Sequence, residues 1–131
     1  MLNNKGAMVA LTSLLFLAAA FSKDLELKKK VGDYQVEIKI DKNPPVIGDN
    51  KIEIQIKDAS DGLIEDAKVL VNYYMPPMPR MAPMNYKTEA KLKDEKYRAK
   101  MKFIMAGPWI IAVKFTRGGK TLTAKFNVDA G

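Results

Sequence analysis

The chain has 131 residues, a formal charge of +7, no cysteine and no histidine. Without cysteine there is no disulfide, thiolate metal site, iron–sulfur cluster or thiol nucleophile, and without histidine the usual general base and the usual zinc or Cu(II) ligand are missing. Lysines at alternating positions, such as Lys51, Lys57, Lys100, Lys102 and Lys114, read as solvated strand faces, so the charge points to solubility and a weak attraction to an anionic membrane surface, not to nucleic acid.

Residues 1–22 have the organisation of a secretory signal peptide. Lys5 gives a positive start, Ala7 to Phe21 is apolar apart from Thr12 and Ser13, and small residues follow at Ala18-Ala19-Ala20 and Ser22. The apolar run is about 15 residues, short for a membrane span. Cleavage near Ala20 to Ser22 is the expectation, with a retained membrane anchor as the alternative, and the destination is periplasmic or otherwise extracytoplasmic. The mature chain, residues 23–131, has the length of one domain and a modest core.

From there the pattern has period two. Tyr34, Val36, Ile38 and Ile40 share one face; Ile52, Ile54 and Ile56 share the next; Ala67, Val69, Val71 and Tyr73 form a third set. Tyr86 to Lys93 is a more polar strand, followed by Tyr97 to Met105, Trp109 to Phe115 and Leu122 to Val128. Asn43-Pro44-Pro45, Asp61-Gly62, Lys93-Asp94-Glu95, Gly107-Pro108 and Gly118-Gly119 separate them as turns. Seven short antiparallel strands predict an all-β, immunoglobulin-like sandwich. Asp58, Asp61 and Asp66 belong to turn chemistry, not to calcium binding or acid catalysis.

Between the third and fourth strands stands the most informative segment, Met75-Pro-Pro-Met78-Pro-Arg-Met81-Ala-Pro-Met84. Four of the eight methionines recur every three residues, interleaved with four prolines. Proline excludes a helix interior or a central strand, so the segment predicts a stiff loop presenting thioethers. Three uses are open: capture of a soft metal such as Cu(I) or Ag(I), docking of a protein partner, or capping of the sandwich.

The run Gly48-Asp49-Asn50, Asp58, Asp61-Gly62, Ala67-Lys-Val69, Tyr74-Met75-Pro76, the Met-Pro loop, Tyr97 and Phe103-Ile-Met105-Ala-Gly107-Pro-Trp109 resembles the YtkA-like domain family, a pattern shared by FixH-like proteins. The likeness covers roughly Gly32 to Val128. It implies an exported or membrane-attached β-sandwich associated with heavy-metal efflux systems or oxidase assembly, with a periplasmic or membrane component of such a system as partner.

On the metal reading, Met75, Met78, Met81 and Met84 supply the ligands, with Met105 as a possible fifth and Trp109 adjacent. Thioethers carry no proton to lose, so such a site tolerates acid. In polyproline II, residues three apart lie about 9 Å apart along the axis, so convergence requires the loop to turn back near Arg80 or Ala82. The absence of acids between Asn72 and Thr88 excludes calcium and magnesium. On the docking reading, Tyr73, Tyr74, Arg80, Tyr86 and Trp109 join the surface. Met101 and Met105 share parity with Phe103, which favours core packing for both. No nucleophile–base pair or phosphate loop is readable, so the expectation is a non-enzyme.

Overall fold

The computed structural model describes residues 24–131, so the expected signal peptide at residues 1–22 lies outside the described residues. The described residues form eight strands and no helix: β1 (Leu25–Val31), β2 (Tyr34–Ile40), β3 (Gly48–Lys57), β4 (Lys68–Tyr74), β5 (Asn85–Lys93), β6 (Lys96–Phe103), β7 (Gly107–Arg117) and β8 (Lys120–Ala130). All pairings are antiparallel, in the order β1-β2-β3-β6-β5-β4-β7-β8. β5 changes partner along its length. Its first part pairs with β4, ending at Val69↔Ala90, and Lys91 to Lys93 pair with β6. The ribbon therefore folds over β5 into the two layers of a sandwich.

The expected count of seven strands is corrected to eight. The additional strand is β1, where Leu25 and Leu27 alternate once before Lys28-Lys29-Lys30 hides the period. β1 is an edge strand, so its pairing with β2 (Leu27↔Ile38, Lys29↔Val36) needs little apolar surface. Lysines on an exposed edge also discourage pairing with another chain.

The alternating residues fill the space between the layers. Val36, Ile38, Ile54, Val69, Val71, Phe103, Ile111, Val113 and Phe126 are all buried, as their parity predicts. Tyr34 on β2 meets Phe115 on β7 edge to face, with centroids 5.5 Å apart, which ties one layer to the other. On the polar faces of the strands, Lys102 is exposed, whereas Lys39, Glu53 and Lys114 are half-buried. Lys39 lies 3.2 Å from Asp24, and Glu53 lies between Lys96 and Arg98.

Two buried polar groups anchor loops. Asn50 accepts from the Val46 N–H at 2.9 Å and donates to the Val46 and Gly48 carbonyls, so it shapes the turn from β2 into β3. At the other end, the Tyr97 hydroxyl donates to the Ile64 carbonyl at 2.8 Å and accepts from the Ala67 N–H at 3.1 Å. Tyr97→Phe leaves both backbone groups without that partner, and a loss of about 1–3 kcal/mol in chemical denaturation is expected. Burial raises the Tyr97 pKa above its ordinary 10.0, against the lowering effect of the Ala67 N–H. The folded state holds this proton more tightly than the unfolded chain, so the stability it contributes is complete below the unfolded value and is lost as pH rises toward the folded one. The alkaline decline in stability above about pH 10 should therefore be shallower in Tyr97→Phe.

Candidate functional site

The loop from Met75 to Met84 joins β4 to β5 at one end of the sandwich. It is a closed hairpin. At its base the Met75 N–H donates to the Met84 carbonyl at 3.3 Å, and at its tip the Met81 N–H donates to the Met78 carbonyl at 3.3 Å. Pro79 and Arg80 are the central residues of that tip, and Arg80 has φ +64°. Proline followed by a positive φ is the pattern of a type II turn. The reversal expected near Arg80 or Ala82 thus falls on Arg80, and it folds the two Met-Pro limbs against each other.

Between the limbs lies a cleft of about 240 Å³ whose lining includes Met75, Met78, Met81 and Met84, with Tyr74 and Asn85 at its base and prolines along its walls. The four methionines differ in burial. Met75 is 7% exposed and belongs to the core, Met78 and Met84 are half-buried against it, and Met81 is 38% exposed at the rim. The cleft therefore offers four thioethers, with sulfur as the prevailing side-chain donor. Among the described residues no group of three or more carboxylate, histidine or cysteine side chains is placed to hold a metal. That donor chemistry fits a soft monovalent ion and fits neither zinc nor calcium.

Met75 is fixed from below. Gly107 has φ +127°, and a Cβ placed there would lie 3.0 Å from the Met75 methyl carbon. Gly107 is the residue that lets β7 start this close to the loop. An aromatic cluster stands at the same end of the sandwich without lining the cleft. Trp109 lies 5.0 Å from Phe103, 6.1 Å from Tyr73 and 6.3 Å from Tyr86, centroid to centroid, and Tyr73 stacks on Tyr86 at 5.5 Å. The Trp109 indole N–H donates to the Met105 carbonyl at 3.0 Å, which pins the turn from β6 to β7.

The structure thus brings together the four loop methionines but not the fifth proposed ligand. Met105 does not line the cleft; its side chain packs against the core, consistent with its parity with Phe103. Of the proposed docking residues, Trp109 and Tyr73 are buried and present no face to a partner, whereas Tyr74 and Tyr86 are half-buried and Arg80 is exposed. Sequence reasoning passed over Asn72 and Asn85. The buried Asn72 amide donates to the Asn85 side-chain oxygen and to the Tyr86 carbonyl, clasping the base of the loop. Its signal was the one polar residue in Val69-Leu-Val-Asn-Tyr-Tyr74.

The family model described as YtkA-like matches residues 28–114. No curated protein matches the chain. Among solved structures, the soluble domain of PmoD from Methylocystis sp. ATCC 49242 (Rockwell) is similar, with a TM-score of 0.57 and 16% identity over 80% of this chain and 97% of that one. At that identity the likeness concerns the fold.

Proposed function

The chain belongs to the YtkA-like family, and from that premise we propose that it is an exported, non-catalytic module that holds one Cu(I) or Ag(I) ion on the thioethers of Met75, Met78, Met81 and Met84, in heavy-metal handling or efflux. The observation that carries this reading is that one small cleft is lined by all four methionines. Soft ions prefer thioethers and low coordination numbers, so the methionines need not all bind at once. The graded burial supports a division of labour in which Met75 is held in place and Met81, at the rim, meets the ion first. When bound, the ion would supply no chemistry on a substrate; the loop holds and releases it.

The test is a titration under reducing conditions against a chromogenic Cu(I) chelator. The parent should take up one equivalent. A variant with all four loop methionines changed to leucine should lose about 100-fold or more in affinity, equivalent to about 2.7 kcal/mol or more. It should remain folded, because Met-to-Leu exchanges usually cost less than about 1.5 kcal/mol each. The parent's affinity should change little between pH 7 and pH 5, since no ligand gains a proton. Equal binding by the leucine variant, or none by the parent, would end the metal reading.

The second reading is a protein-interaction module that docks on a periplasmic or membrane transport or oxidase-assembly complex through the same loop. The exposure of Met81, beside Arg80 at the tip, favours it. Proline lowers the entropy such a loop would lose on docking. The leucine variant would retain that function, because it keeps the apolar bulk.

A further inference from the structure

The six methionines of the described residues differ in how far they are open to solvent. Met101 is fully buried and Met75 is 7% exposed, whereas Met81 is 38% exposed at the rim of the cleft. Met78, Met84 and Met105 lie between, partly buried against the core. The construction of the loop holds this ranking. Hydrogen bonds from the Met75 N–H to the Met84 carbonyl and from the Met81 N–H to the Met78 carbonyl close the hairpin at base and tip. Four prolines of fixed φ stiffen the limbs between them. Met81 directly follows the reversal at Arg80, so it stays at the rim while Met75 is packed away below.

A thioether has a chemistry besides ligation. Two-electron oxidants convert it to a sulfoxide, and in a chain without cysteine it is the side chain that peroxide oxidises most readily. In that step a sulfur lone pair attacks one oxygen of hydrogen peroxide. The S–O bond forms, the O–O bond breaks and sulfur gives up two electrons. The departing hydroxide takes the proton of the transferred hydroxyl and leaves as water. The new oxygen is a strong acceptor and needs a donor. At Met81 solvent supplies one. Met75 lies in the core, at an end of the sandwich where the side-chain donors are engaged: the Trp109 indole N–H by the Met105 carbonyl, and the Asn72 amide by Asn85 and Tyr86. The prolines that line the cleft have no N–H to offer. A sulfoxide at Met75 would therefore bury an unpaired polar atom, a cost that Met81 does not meet.

From these observations we infer that Met81 is a site of peroxide oxidation that controls entry of the soft ion to the cleft. The sulfoxide presents a hard oxygen where the unmodified residue offers a soft sulfur, so the rim captures Cu(I) poorly while the cleft beneath keeps its shape. A sulfoxide reductase acting with a dithiol reverses the change: the dithiol gives up two electrons and two protons and becomes a disulfide, and the sulfoxide oxygen leaves as water. The order of oxidation needs no bound ion; the control of entry rests on the soft-ion reading.

Two measurements separate these parts. Metal-free protein is treated with hydrogen peroxide for increasing times and digested with trypsin. Cleavage after Arg80 puts Met75 and Met78 in one peptide and Met81 and Met84 in the next, and fragmentation resolves each pair by mass. Met81 should oxidise at least threefold faster than Met78 and Met84 and at least tenfold faster than Met75. In urea these differences should vanish. One common rate in the folded protein, or an order that persists in urea, would overturn the inference.

The second measurement is the rate at which the protein takes Cu(I) from a chromogenic chelator after the peroxide has been removed. Protein oxidised at Met81 alone should take up Cu(I) at least fivefold more slowly than untreated protein. Treatment with methionine sulfoxide reductases and a dithiol, followed by desalting, should restore the rate. Met81→Leu should be slow from the start and be slowed no further by the same peroxide dose. If peroxide slows that variant as much as it slows the parent, the effect belongs to another residue and the inference fails. If untreated protein takes up no Cu(I), the soft-ion reading fails and the control of entry with it. If untreated and oxidised proteins take it up at one rate, the control of entry alone fails.

Discussion

Trp109→Ala is expected to destabilise the domain by about 3–5 kcal/mol, a large part of the 5–15 kcal/mol that holds a typical domain folded. The ring is 1% exposed and touches Phe103, Tyr73 and Tyr86, so its removal leaves a cavity walled by rings from β6, β4 and β5. Tilted aromatic pairs contribute beyond their buried area. The indole N–H is lost as well, leaving the Met105 carbonyl without that donor. Trp109→Phe should cost less, because it retains a ring and loses the hydrogen bond and part of the volume. Urea denaturation followed by circular dichroism measures both; a cost below about 1 kcal/mol for the alanine variant would mean that the aromatic cluster collapses to fill the space.

Gly107→Val should be comparably damaging, by about 2–5 kcal/mol, for two separable reasons. A β-branched residue at φ +127° is strained whatever surrounds it, at about 1–3 kcal/mol. Its Cβ also meets the Met75 methyl, a contact that overpacking studies place at about 1–3 kcal/mol. The second cost can be relieved if Met75 swings aside, since the methyl is the far end of a flexible side chain. That relief moves a thioether out of the cleft. A double-mutant cycle with Met75→Ala distinguishes the two: the clash should disappear in the double variant and the backbone strain should remain. If the two substitutions prove additive, Met75 does not rest on Gly107 and its position in the cleft needs another cause.

The strands were legible where one face is buried, because every second residue from Val36 to Ile40, from Ile52 to Ile56 and from Val69 to Tyr73 is apolar. β1 was not legible, since an edge strand is held mainly by backbone pairing with β2 and tolerates Lys28-Lys29-Lys30. The exchange of partners along β5 was not legible either: Lys87 and Lys91 look alike in sequence, yet the first lies opposite Asn72 and the second opposite Arg98. In the site, Pro79-Arg80 marked the reversal, since proline favours the second position of a turn. The unequal burial of the four methionines could not be read from equal spacing. It arises because Met75 continues β4 into the core while Met81 lies beyond the turn. The buried polar organisers, Asn50 and Asn72, resemble surface residues in sequence, because an asparagine is internal only when backbone groups from distant positions meet it.

Four of the ten loop residues are prolines, and a proline has no N–H. Of the six amides that remain, those of Met75 and Met81 are hydrogen-bonded within the loop. Hydrogen exchange and amide-detected magnetic resonance will therefore see this end of the molecule sparsely, and a change there will leave little trace in a backbone spectrum. The methyl groups of Met75, Met78, Met81 and Met84 have no such gap. Each is bonded directly to the sulfur in question, and isotope labelling of methionine alone would light up half its signals in this one loop.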